Sequence, residues 1–110
     1  MTITSESSEN AVVIHVSGRL DAVAAPELER ACNDQLQAGA RRILIDFTGL
    51  EYISSAGLRA ILSAGKTLHA SGGALALCGP EGIVKNVLNL SGFCSLFPVY
   101  DSVEAAHGQF

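Results

Sequence analysis

A short apolar strand that feeds directly into an amphipathic helix constrains this chain more than any other feature. Ile43-Leu44-Ile45-Asp46-Phe47 is apolar with β-branched members, and it is bounded by Arg42 and by Thr48-Gly49, which read as a turn. Downstream, Leu58, Ile61, Leu62, Gly65 and Leu68 recur at helical spacing, with Arg59, Ser63 and Lys66 on the other face. Leu58, Ile61 and Leu62 are therefore expected to face inward and Arg59 outward. Ser54-Ser55-Ala56-Gly57 falls at the junction, where a serine hydroxyl can satisfy backbone N–H groups that lack an intrahelical partner. The same N–H groups and the helix dipole also favour a phosphate. Position alone leaves both readings open, a plain helix cap or a phosphate-bearing site.

The rest of the chain alternates in the same way. Residues 2–5 and 11–17 read as strands, with Ser7-Ser8-Glu9-Asn10 as a polar hairpin turn. Pro26-Glu27-Leu28-Glu29 starts a helix whose apolar stripe, Leu28, Ala31, Cys32 and Leu36, ends at Gly39. After the strand at 42–47 and the helix from Ser54 to about residue 71, residues 74–78 form another short apolar strand. Gly79-Pro80-Glu81 opens a helix with Ile83, Val84, Val87 and Leu88 on its inner face, ending near Gly92. Leu96 to Tyr100 suits an edge strand, since Pro98 cannot donate within a ladder. Asp101-Ser102-Val103-Glu104 has capping-box spacing, with Asp101 in the cap position, and opens a last short helix ending at Gly108. Alternating strands and helices imply a mixed or parallel sheet in one α/β domain spanning residues 1–110.

Composition removes several function classes. A formal net charge of -4, with only seven basic residues and no basic stripe, argues against nucleic-acid binding. No apolar stretch approaches a membrane span, and the N-terminus has no signal-peptide core, so a cytoplasmic protein is expected. Cys32, Cys78 and Cys94 are widely separated among apolar neighbours, and each reads as a small buried hydrophobe rather than a zinc ligand or disulfide partner. His15, His69 and His107 are equally dispersed, so no metal or cofactor is expected. His15, alternating with Ile14 and Val16, belongs on the less buried side of its strand.

No enzyme signature appears. Ser55 lacks a nucleophile elbow, and the chain has neither a phosphate-binding P-loop nor a dinucleotide fingerprint. Asp21, Asp46 and Glu51 could be imagined as paired carboxylates, but they read better as turn organisers. The carboxyl edge of the sheet remains the functional candidate, because ligands of open α/β sheets favour it.

Leu44-Ile45-Asp46-Phe47-Thr48-Gly49-Leu50-Glu51-Tyr52-Ile53-Ser54-Ser55-Ala56-Gly57-Leu58 resembles the signature stretch of STAS domains, specifically the stand-alone bacterial anti-sigma factor antagonists. Gly18-Arg19-Leu20-Asp21 resembles that family's Gly-x-Leu-Asp segment, followed by a helix containing Pro-Glu-Leu. The resemblance covers nearly the whole chain. It implies a mixed sheet of four to five strands with about four helices, and a non-enzymatic regulator without cofactor or metal. The family's phosphoacceptor, the serine two residues before the glycine of its Gly-Leu pair, maps to Ser55. The family often has Asp just before it, where this chain has Ser54, making Ser54 a second candidate. It often has Ser or Thr just after it, where this chain has Ala56. The resemblance places Asp21, Ser54, Ser55, Ala56, Gly57 and Arg59 at the partner-binding surface. The implied partners are a serine kinase that doubles as anti-sigma factor and a metal-dependent serine phosphatase, with the chain itself a monomer or weak dimer. The alternative is a STAS domain that binds a nucleotide, lipid or anion without phosphorylation. A weaker third reading is a subunit of a transport or stress assembly.

Overall fold

The computed structural model describes residues 1–8 and 11–110. Its centre is a five-stranded sheet in the order β1-β2-β3-β4-β5, formed by β1 (Thr2–Ser7), β2 (Val12–Leu20), β3 (Arg42–Ile53), β4 (Ala74–Cys78) and β5 (Val99–Tyr100). β1 runs antiparallel to β2; the β2–β3, β3–β4 and β4–β5 pairs are parallel. Each parallel pair needs a crossover, supplied by α1 (Ala25–Gln37), by α2 (Ser55–Ala70), and by α3 (Gly82–Leu90) with α4 (Phe93–Leu96). A final helix, α5, spans Val103–Ala106.

The three crossovers share one face of the sheet. Ile14, Ile43, Ile45, Phe47 and Leu77 point from the strands into a core completed by Leu28, Ile61, Leu68, Val84 and Leu88 of the helices. The opposite face carries a smaller cluster, Val13, Leu44, Ala76 and Cys78, covered by Val103 and Ala106 of α5, Tyr100 of β5 and Phe110. Beyond that cover the second face is polar, and His15 and Asp46 lie on it side by side.

Several local expectations change. Thr48-Gly49 is not a turn, because β3 continues to Ile53 and β2 to Leu20, with the pairing register shifting between His15 and Ser17 and again between Gly18 and Arg19. A bulged ladder keeps the backbone paired where the sequence pattern breaks. Residues 96–100 form less strand than expected, since Phe93–Leu96 turn once as α4 and only Val99 and Tyr100 pair. Ile83 does not join the inner face of α3: it is 61% exposed, while Val84 and Leu88 are buried. Leu58 and Leu62 pack on the core only partly, whereas Ile61 is fully buried. Ser63 is not on an open face, because its hydroxyl donates to Glu29 of α1 at 2.7 Å. Cys32 and Cys78 are buried as expected, and burial pushes both thiols up to about 12. Cys94 is exposed instead, one residue into α4. The cap of α5 is Ser102 rather than Asp101, with its hydroxyl accepting from the Ala105 amide at 3.0 Å. The expected turn at Ser7-Ser8-Glu9-Asn10 includes Glu9 and Asn10, which lie outside the described residues.

Candidate functional site at the start of the second crossover helix

β2 and β3 run side by side to a common end, Leu20 opposite Ile53. The chain leaves β3 through Ser54, whose backbone is extended, and enters α2 at Ser55. Ser54 is held from both sides. Its amide donates to the Leu20 carbonyl at 2.9 Å, and its hydroxyl donates to the same carbonyl at 3.1 Å. That hydroxyl also accepts from the Gly57 amide at 3.1 Å, the bond of a serine N-cap. The Ser54 oxygen is therefore committed as both donor and acceptor.

Ser55 differs in each respect. It is exposed at the first helical position, and among the described residues its hydroxyl makes no hydrogen bond. With Gly57 N–H directed to the cap hydroxyl and Leu58 N–H to the Ser54 carbonyl, the first-turn amides of Ser55 and Ala56 have no carbonyl one turn back. No acidic residue occupies that first turn, and Arg59 lies exposed one turn further on. A phosphoryl group on Ser55 would meet a positive helix terminus and no resident carboxylate in that turn.

Gly57 makes the arrangement possible. It is buried, and a Cβ there would stand 2.7 Å from Leu20 Cγ, 3.0 Å from the Leu20 carbonyl oxygen and 3.1 Å from Ile53 Cγ1. Only a residue without a side chain lets the first turn of α2 press onto the end of β2. Asp21 follows Leu20 directly. Its carboxylate accepts from the Val23 and Ala24 amides at 3.1 and 3.0 Å, organising the turn ahead of α1, whose own cap position holds Ala24 without a side-chain bond. Beside it, Val23 is 83% exposed.

Ser54, Ser55, Ala56, Gly57 and Asp21 are thus brought to one edge, through the shared Leu20 carbonyl, with Arg59 on the exposed side of the helix that starts there. The three carboxylates weighed as possible partners are separated in role: Asp21 binds turn amides, Asp46 binds Thr48 and His15, and Glu51 is exposed on β3. Among the described residues no group of His, Cys, Asp or Glu has the geometry of a metal site. A cavity near the edge has Gly18, Arg19, Asp21, Val23 and Glu27 in its mixed polar and apolar lining, while an apolar groove of about 520 Å³ between Leu62, Leu75, Leu96 and Phe97 lies beside the later turns of α2. Sequence reasoning did not find Arg19, whose guanidinium stacks 4.2 Å over the Tyr52 ring and links the ends of both strands. Only the structural register, Arg19 opposite Tyr52, brings the two together.

A mixed sheet with three crossovers on one face, and a serine-capped helix starting where β3 ends, define a small α/β domain. The chain belongs to the STAS domain family, whose model matches residues 2–106. It is 37% identical over 110 residues to BtrV of Bordetella bronchiseptica, described as a candidate anti-sigma factor antagonist, covering 100% of this chain and 95% of that one. A candidate anti-sigma factor antagonist from Thermotoga maritima has the same fold at a TM-score of 0.90, with 24% identity, covering 97% of this chain and 92% of that chain. The Bacillus cell fate determinant SpoIIAA, solved in its phosphorylated form, superposes with a TM-score of 0.76 at 23% identity, covering 98% of each chain. No helix among the described residues is long and apolar enough to cross a membrane.

Proposed function

We propose that this domain is an anti-sigma factor antagonist controlled by phosphorylation of Ser55. In the unmodified state its α2 edge binds a serine kinase that also serves as anti-sigma factor, and so frees the sigma factor. The kinase transfers the γ-phosphoryl of ATP to the Ser55 hydroxyl, the hydroxyl proton passes to the kinase's base, and ADP leaves. A metal-dependent serine phosphatase hydrolyses the phosphoester and restores the binding state. Nucleotide, metal and base all belong to the partners on this reading. What this chain contributes is presentation of one hydroxyl and of the surface around it, Asp21, Ser54, Ala56, Gly57 and Arg59.

The observation that carries the reading is the contrast between adjacent serines. Transfer to Ser54 requires breaking its bonds to Leu20 and Gly57, whereas Ser55 is exposed and unbonded. The names of the similar proteins support the antagonist role. The decisive experiment incubates the pure protein with its cognate kinase, Mg²⁺ and ATP and maps the phosphopeptide. Phosphate on Ser55, abolished in Ser55→Ala, is expected. Phosphate confined to Ser54, or an unimpaired Ser55→Ala reaction, overturns the assignment.

A further inference from the structure

Away from the serine edge, His15 is gripped by two carboxylates from different strands. Its Nδ1 lies 2.7 Å from Asp46 Oδ2 on β3, and its Nε2 lies 2.9 Å from Glu6 Oε1 on β1. The ladder sets this up: Thr4 and His15 are cross-strand partners, as are His15 and Asp46, so Glu6, two residues from Thr4, shares their face. An ionised carboxylate can only accept a hydrogen bond, and an imidazole can donate from both nitrogens only as the imidazolium. Both contacts together therefore require His15 to carry a proton on each nitrogen.

We propose that His15 is a proton-gated clasp that fastens the edge strand β1 to the sheet and lets it loosen when the ring becomes neutral. The two ends of the clasp are unequal. Asp46 is fixed by the Thr48 hydroxyl at 2.6 Å and the Thr48 amide at 3.0 Å, and its side chain is 12% exposed. Glu6 has no such anchor among the described residues, and its side chain is 67% exposed on the sheet's outermost strand. A neutral ring keeps one N–H. Donation to Asp46 then turns the bare Nε2 lone pair toward the Glu6 carboxylate, so the bond that opens is the one to β1.

The two carboxylates bonded to His15, Glu6 and Asp46, favour its charged form against partial burial. Glu81 ahead of α3, Asp101 ahead of α5 and Glu104 on α5 line the same cavity as Glu6, His15, Asp46 and Thr48, and among the described residues no lysine or arginine does. From β4, the Cys78 thiol lies 3.9 Å from Asp46 Oδ1. The Glu6 bond, against partial burial and with help from Asp46, raises the His15 pKa above its ordinary 6.5. β1 has few other fastenings: its ladder to β2, Ile3 packed partly on the core, and the Gln35 amide donating to the Ser5 hydroxyl at 3.2 Å. The clasp's contribution is thus complete below pH 6.5 and is lost as pH rises through the raised value. On the acid side, Thr48 and His15 outweigh desolvation and hold the Asp46 carboxyl below its ordinary 3.8. That end fails only as pH falls through the lowered value.

The test pairs an NMR titration of the His15 ring with hydrogen exchange of the β1 amides, Ile3 to Ser7, in the intact chain. Exchange is corrected for intrinsic base catalysis, and wild type is compared with Glu6→Gln. Wild-type His15 should titrate above 6.5 and Glu6→Gln should bring it back toward that value. Protection of β1 should fall severalfold through the wild-type midpoint, stay level in Glu6→Gln, whose amide bonds either ring form, and stay level throughout for β3. A wild-type midpoint at or below 6.5 refutes the clasp. So does β1 protection that ignores the titration, or that falls equally in Glu6→Gln. This test uses neither Ser55 nor a kinase, so it stands apart from the proposed switch.

Discussion

Replacing each of the two adjacent serines by alanine should give opposite results, although the sequence change is the same. In Ser54→Ala the Gly57 amide loses its cap acceptor, a loss that costs about 1 kcal/mol for a serine N-cap, within a range of about 0.5–2. The Leu20 carbonyl loses one of its two donors but keeps the residue-54 amide at 2.9 Å, so no buried orphan acceptor adds to the cost. About 1 kcal/mol in a domain of this size corresponds to a fall in Tm of about 4 °C. In Ser55→Ala an exposed, unbonded hydroxyl is removed from a first-turn position and a better helix former installed, so stability should stay within about 0.5 kcal/mol. Thermal and urea unfolding of both variants, each followed by a kinase reaction below its midpoint, supply the comparison. Ser54→Ala should unfold early yet still accept phosphate while folded; Ser55→Ala should unfold normally and accept none. A neutral Ser54→Ala together with a destabilised Ser55→Ala would refute the assignment of cap and acceptor.

Gly57→Ala should destabilise by about 1–3 kcal/mol through overpacking against Leu20, offset by up to about 1 kcal/mol of helix propensity, as read from the urea midpoint. Ile61→Ala, at a fully buried position, should cost about 2–5 kcal/mol, and Leu62→Ala, at the half-open groove, less than about 2 kcal/mol; equal losses would show the α2 face misplaced. Arg59→Glu should leave the unfolding midpoint within about 0.5 kcal/mol of wild type while weakening kinase binding at least about tenfold in calorimetry. Phosphate on Ser55 adds about 1.5–2 negative charges. It should lower kinase affinity by about thirtyfold or more, equivalent to about 2 kcal/mol, at an unchanged unfolding midpoint. Loss of fold in the phosphorylated protein would refute that mechanism.

Helical spacing read the α2 region well because Ile61, Gly65 and Leu68 meet the sheet along one stripe. The same periodicity overstated Leu58 and Leu62, since a stripe's edge residues face whatever the neighbouring element leaves open, for Leu62 a groove beside Phe97. Ile83 failed for a related reason: it sits at the edge of the α3 stripe, 61% exposed, while the adjacent Val84 is fully buried. Strand ends were hardest. Thr48-Gly49 has turn composition, and only pairing with Ser17 and Gly18 across two register shifts keeps it and Leu50 in the ladder. At the site, the strand-to-helix junction and the Ser54 cap were legible as local chemistry. The closeness of Asp21 was implied by family resemblance alone, since it depends on Leu20 and Ser54 meeting across 34 residues of sequence. The His15 grip was invisible for the same reason, because its carboxylates lie 9 and 31 residues away.

The missing side chain at Gly57 has a mechanical consequence. With the helix backbone seated directly on the end of β2, there is no compressible layer between α2 and the sheet along which the first turn could tilt. On the proposed switch, a phosphate at Ser55 would therefore have little leverage on the scaffold beneath it. Its message would then travel outward as an altered electrostatic surface, felt by a partner at short range and muted by salt, with the interior expected to keep one shape in both states.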